Sequence, residues 1–155
     1  MRILLVGYGK MNRAIERLAR ERGHAIVGVI EAAQNAGGTG ITAATAAGAD
    51  VAVEFTRPEA AATNLLRLAE LGVPTVTGTT GWLAELPLVR SAVERTGSAL
   101  LHSANFSIGV QLFLRTAREL LSAGLVTDDA EAAPLDGARD RGRVDAALGH
   151  DAARA

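Results

Sequence analysis

Residues 4–15 read LLVGYGKMNRAI, and the fold turns on this stretch. Four apolar residues, Ile3 to Val6, run into a glycine pair at Gly7 and Gly9 and then into a segment of helical spacing. A strand, a glycine turn and a helix in immediate succession open a βαβ unit. Glycines there let the backbone turn tightly and approach a pyrophosphate, whose charge is attracted by the free amides and positive end of the helix. Asn12 stands where the third glycine of G-x-G-x-x-G is expected. That position chiefly controls how closely helix and strand pack. The substitution is therefore expected to alter packing while leaving an anion site of Gly7, Tyr8, Gly9, Lys10, Met11 and Asn12. An ordinary glycine turn explains the same letters, so signals elsewhere must decide.

Working outward, apolar runs rich in β-branched residues recur at Ile3–Val6, Ala25–Ile30, Val51–Phe55, Val73–Thr77 and Ala99–Leu101, separated by stretches of helical spacing. Apolar residues on consecutive positions are expected of parallel strands covered by helices on both faces, so the pattern predicts an α/β fold with a doubly wound parallel sheet. The first helix, about Met11 to Arg22, places Ala14, Ile15, Leu18 and Ala19 on its inner stripe and ends at Gly23. Thr56 with Glu59 reads as a capping box ahead of a second helix with Pro58 in its first turn and Ala61, Leu65, Leu68 and Ala69 inward. The small, glycine-rich stretch from Gly37 to Ala49 reads as a loop with at most one helical turn. A helix after Pro87 turns Leu88, Val89, Ala92 and Val93 inward. A last helix, about Ser107 to Leu121, is apolar enough to require cover; left open, Val110, Phe113, Leu114, Ala117 and Leu121 would form an associating patch.

Composition narrows the partners. A chain of 155 residues forms one domain and buries roughly two thirds of its unfolded surface. The formal charge of −1 gives no electrostatic reason for a nucleic acid or an acidic membrane as partner, which leaves a small molecule. Zero cysteines exclude a disulfide scaffold and a thiolate metal site, and fit a reducing compartment. No apolar run reaches the roughly 20 residues of a membrane span, and no signal peptide is read at the start, so the expected location is cytoplasmic. After Gly124 large apolar residues almost vanish. The expected organisation is a dinucleotide-binding domain over 1–123 and a polar tail over 124–155 that is disordered or foreign to the rest.

Glu31 ends the second apolar run, 24 residues after Gly7. An acid at this distance accepts hydrogen bonds from adenosine ribose hydroxyls in dinucleotide folds. Ala32 and Ala33 follow it, with no arginine nearby in sequence to hold a 2′-phosphate, which favours NADH over NADPH. The VTGTTGW stretch, residues 76–82, falls at the carboxyl end of the fourth strand, where ligands of open parallel sheets collect, and offers Gly78, Thr79 and Thr80. A simple turn serves those letters equally well. In HSANFSIGV, residues 102–110, Asn105 or Ser107 reads as a helix cap, Phe106 as core and His102 as a strand-end histidine.

Taken together and in this order, GYGKM, VEFT, GTTGW and ANFSIGV resemble the N-terminal domain of the dihydrodipicolinate reductase (4-hydroxy-tetrahydrodipicolinate reductase) family of bacterial lysine and diaminopimelate biosynthesis, over about residues 1–121. The resemblance implies a Rossmann-like domain that binds NADH or NADPH. Its site would comprise residues 7–12, Glu31, Gly78 to Thr80, and Ser103, Ala104, Asn105 and Phe106, with Thr80 and Asn105 helping to fix the nicotinamide. It also implies hydride transfer to a cyclic imine dicarboxylate, and a second domain that binds this substrate and builds a tetramer. The family's E-x-x-H-H-x-x-K-x-D-A-P-S-G-T segment is not read here. Lys10 is the only lysine, and no two of the three histidines are adjacent. No catalytic or metal-binding residue is therefore assigned. The chain is expected to lack the second domain, as a truncated or frame-shifted product, and to bind cofactor without efficient turnover. Two other readings stand beside this one: a non-catalytic nucleotide-binding or sensor module, and a different two-domain dehydrogenase, against which GTTGW and ANFSIGV argue.

Overall fold

The computed structural model describes residues 1–123; the tail expected over 124–155 lies outside the described residues. The described residues divide into two units, residues 1–104 and residues 105–123.

The first unit contains β1 (Arg2–Val6), α1 (Lys10–Glu21), β2 (Ala25–Ile30), β3 (Val51–Glu54), α2 (Pro58–Glu70), β4 (Thr75–Thr77), α3 (Leu86–Thr96) and β5 (Leu100–His102). The five strands form one sheet in the order β2-β1-β3-β4-β5, and every neighbouring pair is parallel. The chain winds outward from β1 to β2, crosses back to β3, and then winds outward the other way through β4 to β5. The direction reverses between β1 and β3. All five carboxyl ends share one edge, and ligands in such sheets sit at that reversal. This is the doubly wound α/β, Rossmann-like arrangement expected from the alternating runs.

β1 runs through the middle of the core because both its faces are covered. Ile3 and Leu5 pack with Ile15 and Ala19 of α1 and with Val51 and Val53 of β3. Leu4 and Val6 point the other way, onto Ala52, Leu68 of α2, Val73, and Ile41 and Ala46 of the loop before β3. A third cluster joins α2 to α3 through Ala61, Leu65, Trp82 and Val89. Each fully buried leucine contributes about 1.5–3 kcal/mol from burial. The glycine-rich segment after Gly37 is short turns rather than a helix, yet it supplies two core side chains.

Several helix details differ from the sequence expectation. Leu18 and Leu88 are exposed, while Ala19, Val89 and Ala92 carry the buried faces of their helices. The capping box does not form: Arg57 is the N-cap of α2, without a side-chain cap. Thr56 instead directs its hydroxyl to Glu54.

The second unit, over its described residues, is α4 (Ile108–Ser122) with its lead-in. Asn105 Oδ1 accepts the Ser107 backbone N–H at 2.7 Å, which turns the chain into the helix. None of the α4 residues is buried, and Phe113 is 69% exposed. Phe106 is exposed too, so the expectation that it belongs to the core is not met.

At the opposite edge of the sheet from the carboxyl ends, Arg2 and Asp50 bind reciprocally. The Arg2 N–H meets Asp50 Oδ2 at 2.7 Å, its guanidinium meets Oδ1 at 3.2 and 3.3 Å, and Asp50 N–H returns to Arg2 O at 2.8 Å. Above all the Arg2 backbone N–H, and then its guanidinium, hold the Asp50 carboxyl below its ordinary value of 3.8. A depressed carboxylate pKa contributes stability that is fully present above the unfolded value and is lost as pH falls through the folded one. In Asp50→Asn, acid denaturation is therefore expected to show a shallower loss of stability below about pH 4 than in the parent. At Gly7, φ is +83°, and an added Cβ would lie 2.2 Å from the Phe55 carbonyl oxygen. Gly7→Ala is accordingly expected to cost at least about 2 kcal/mol in urea denaturation.

Candidate functional site: the carboxyl edge at the β1–β3 reversal

The glycine turn lies where β1 gives way to α1. Gly7 donates its N–H to Ile30 O of β2 at 2.8 Å, and Arg13 N–H makes the first helical bond of α1 to Gly9 O at 3.1 Å. The amides of Lys10, Met11 and Asn12 thus occupy the first turn, where helix geometry supplies no internal acceptor. Gly9 is the N-cap, at φ −83° and ψ −166°. Those angles suit any residue, and a Cβ there would meet nothing within 4 Å. Packing explains Gly7, whereas at position 9 no neighbour among the described residues excludes a side chain, and the N-cap role favours glycine over alanine without demanding it.

Asn12 is fully buried. Its Nδ2 donates to Val6 O at 2.9 Å, Gly7 O at 2.7 Å and, more weakly, Val53 O at 3.3 Å. The side chain clamps the end of β1 to β3 beneath the turn, and what it can offer a ligand is its backbone amide. The expected change in helix packing is thus a set of hydrogen bonds that glycine could not make.

Tyr8, between the two glycines, is held from outside. Its O–H donates to Glu16 Oε2 at 2.5 Å, Arg20 grips Glu16 Oε1 at 2.7 and 3.0 Å, and the Arg13 guanidinium lies 5.1 Å from the ring centroid. The bond to Glu16 is the largest of the effects that raise the phenol above its ordinary value. The same bond, followed by Arg20, lowers Glu16.

Beside the turn, β3 and β4 end in a buried polar cluster around Glu54, which is 0% exposed. Thr77 Oγ1 donates to Glu54 Oε2 at 2.5 Å, and Thr56 Oγ1 and Asn64 Nδ2 donate to Oε1. The cluster sets the GTTG loop: Thr79 N–H bonds Thr77 Oγ1 at 3.2 Å, Thr56 N–H bonds Thr79 Oγ1 at 2.8 Å, and the buried Trp82 donates Nε1–H to Thr79 O at 2.8 Å. Gly78 has a packing reason of its own, since a Cβ there would fall 2.1 Å from the Phe55 ring. Thr80 is exposed beyond it.

Ser103 joins this edge through its N–H to Thr77 O at 3.3 Å, with Ala104 following, and Trp82 meets the His102 ring edge-on at 5.6 Å. Glu31 is exposed at the end of β2 and leads into a short 3₁₀ turn. The structure therefore brings residues 7–12, Glu31, Gly78 to Thr80, Ser103 and Ala104 to one edge of the first unit. Asn105 and Phe106 belong to the second. Sequence reading missed Glu54, Asn35 and Asn64 as working residues. Asn64 carried a signal, because it stands three after Ala61 and four before Leu68, on the stripe that α2 buries. An open groove of about 270 Å³ between Gly37–Gly38 and the first turn of α2, lined by Arg57, Glu59, Ala60 and Thr63, was not anticipated. Among the described residues no group of three His, Cys, Asp or Glu side chains is placed to hold a metal.

Known proteins match this chain along the same stretch. The family described as dihydrodipicolinate reductase, N-terminus, matches residues 1–106. The 4-hydroxy-tetrahydrodipicolinate reductase of Christiangramia forsetii is 33% identical over 121 residues, 77% of this chain and 48% of that protein. The Staphylococcus carnosus protein of the same name is 37% identical over 120 residues, 74% of this chain and 48% of its own length. That of Staphylococcus aureus strain Newman is 35% identical over 159 residues, 96% of this chain and 60% of its length. The chain spans about half the length of the curated relatives it matches. With the family match covering the glycine turn, the Glu54 cluster and the GTTG loop alike, the chain belongs to the dihydrodipicolinate reductase family, in that family's N-terminal part.

Proposed function

We propose that this chain is the cofactor-binding part of a 4-hydroxy-tetrahydrodipicolinate reductase, with the carboxyl edge at the β1–β3 reversal as its NAD(P)H site. The observation that carries the reading is Gly9. Its backbone angles admit a side chain and no neighbour among the described residues excludes one; a helix N-cap favours glycine over alanine, and a pyrophosphate resting against the turn requires the bare backbone.

In this reading the amides of the first turn of α1 hold the pyrophosphate, Glu31 accepts the adenosine ribose hydroxyls, and Thr79, Thr80, Ser103 and Ala104 border the nicotinamide. A reduced nicotinamide supplies the hydride. The chain's own residues bind and orient: Asn12 and Glu54 hold the turn and the loop, and the buried Trp82 fixes Thr79. NADH is favoured because Ala32 and Ala33 follow Glu31; Arg57, on the groove beside Gly37 and Gly38, is the side chain that would oppose this preference.

The substrate would be a cyclic imine dicarboxylate, reduced by hydride transfer and then protonated. The sole lysine lies in the cofactor turn and no histidine pair exists, so the chain by itself is expected to bind cofactor without efficient turnover. Most of residues 124–155 fall within the span that aligns with the S. aureus protein, and no function is assigned to them.

The test is Gly9→Ala followed by NADH fluorescence and thermal melting. With φ at −83° and open space around Cβ, the variant should fold and stay within about 1 kcal/mol of the parent, because the entropy that alanine removes from the unfolded chain is offset by its being a poorer N-cap than glycine. Its NADH affinity should fall at least about tenfold, which is about 1.4 kcal/mol. Unchanged affinity in a folded Gly9→Ala protein would contradict the site.

A further inference from the structure

We infer that Glu54 is a positioning residue for both ends of the cofactor cleft, an inference that rests on the nucleotide reading above. Glu54 touches no ligand position itself. It is completely buried, and none of the three ion pairs among the described residues involves it. A buried carboxylate served only by neutral donors is a poor way to stabilise a fold, since a well-packed apolar side chain avoids the desolvation cost.

What the carboxylate does supply is direction. Thr77 Oγ1 gives its proton to Glu54 and thereby turns its lone pairs toward the Thr79 N–H, 3.2 Å away. On the other side, Thr56 Oγ1 gives its proton to Glu54 and receives Asn64 Nδ2 at 3.3 Å. Asn64 Oδ1 accepts Asn35 Nδ2 at 2.8 Å, and Asn35 Oδ1 accepts the Gly40 N–H at 3.0 Å. Every bond in this relay runs toward Glu54. A carboxylate is the one side chain of that shape that only accepts, so a single group orients both arms. One arm ends in the GTTG loop, the other in the loop that follows Glu31.

A carboxamide keeps the size but places a donor opposite one of the arms, which must then reverse. Glu54→Gln should therefore weaken NADH about tenfold, about 1.4 kcal/mol, and weaken ADP-ribose with it when the new donor faces Thr56 Oγ1 rather than Thr77 Oγ1. Thr77→Val cuts only the GTTG arm. It should weaken NADH about tenfold and leave ADP-ribose within about twofold, and Thr77→Ser, which restores the hydroxyl, should recover NADH binding. Titration of the full chain with both ligands, with circular dichroism to confirm folding, reads all of this. A folded Glu54→Gln protein that binds both ligands like the parent overturns the inference. If Glu54→Gln does not fold, the Thr77 pair decides: equal NADH affinity in Thr77→Val and Thr77→Ser overturns it. Failure of the parent to bind either ligand marks instead the failure of the nucleotide reading, and this inference falls with it.

Discussion

The rest of this edge depends on how closely β1 and β3 approach where the chain reverses its direction of winding. At Gly7 there is no room for a single methyl group against the Phe55 carbonyl. Asn12 ties the Val6 and Gly7 carbonyls to that of Val53 from below. Backbone approach of this kind leaves no space for a side chain at position 7. The first amides of α1 are thereby presented at the edge, with the positive end of the helix behind them.

Around that contact the structure divides its labour. Apolar side chains from β1, α1 and α2 fill both faces of the sheet and account for most of the favourable burial. The polar cluster of Glu54, Thr56, Asn64 and Thr77 sits at the one place where the loops need fixed directions. It exchanges stability for order, a trade that is sensible next to a ligand and wasteful elsewhere. The Arg2–Asp50 pair closes the far edge with exposed groups that contribute little and yield to acid.

The strands were legible because β-branched apolar runs such as residues 3–6 and 25–30 are local signals, and parallel order follows from their alternation with helices. Leu18 and Leu88 are exposed although they fall on the apolar stripes of their helices, because periodicity assigns a stripe without saying how far the neighbouring element extends over it. Thr56 with Glu59 spelled a capping box, but the hydroxyl had a stronger acceptor in Glu54, two residues away in the chain. Asn12 looked like a lapse in a glycine motif. Its partners include a β3 carbonyl 41 residues distant, and no local pattern announces such a bond. Of the residues assigned to the site from sequence, those of the first unit share an edge because parallel strands end together. Of the residues that hold them there, Asn64 shows itself by its place on the buried stripe of α2, whereas bonds such as Thr77 to Glu54 and Asn12 to Val53 join segments far apart in sequence and leave no local pattern.

The proposed function stands or falls on whether the glycine turn and the GTTG loop act as one dinucleotide site. The most direct measurement is a titration of isotopically labelled protein with NADH, followed by amide chemical shifts. A nucleotide bound across both segments shifts the amides of Gly7, Gly9, Lys10, Met11 and Asn12 together with those of Gly78, Thr79 and Thr80, along one saturating curve. Saturating shifts confined to other parts of a folded protein, or none at all, would contradict it.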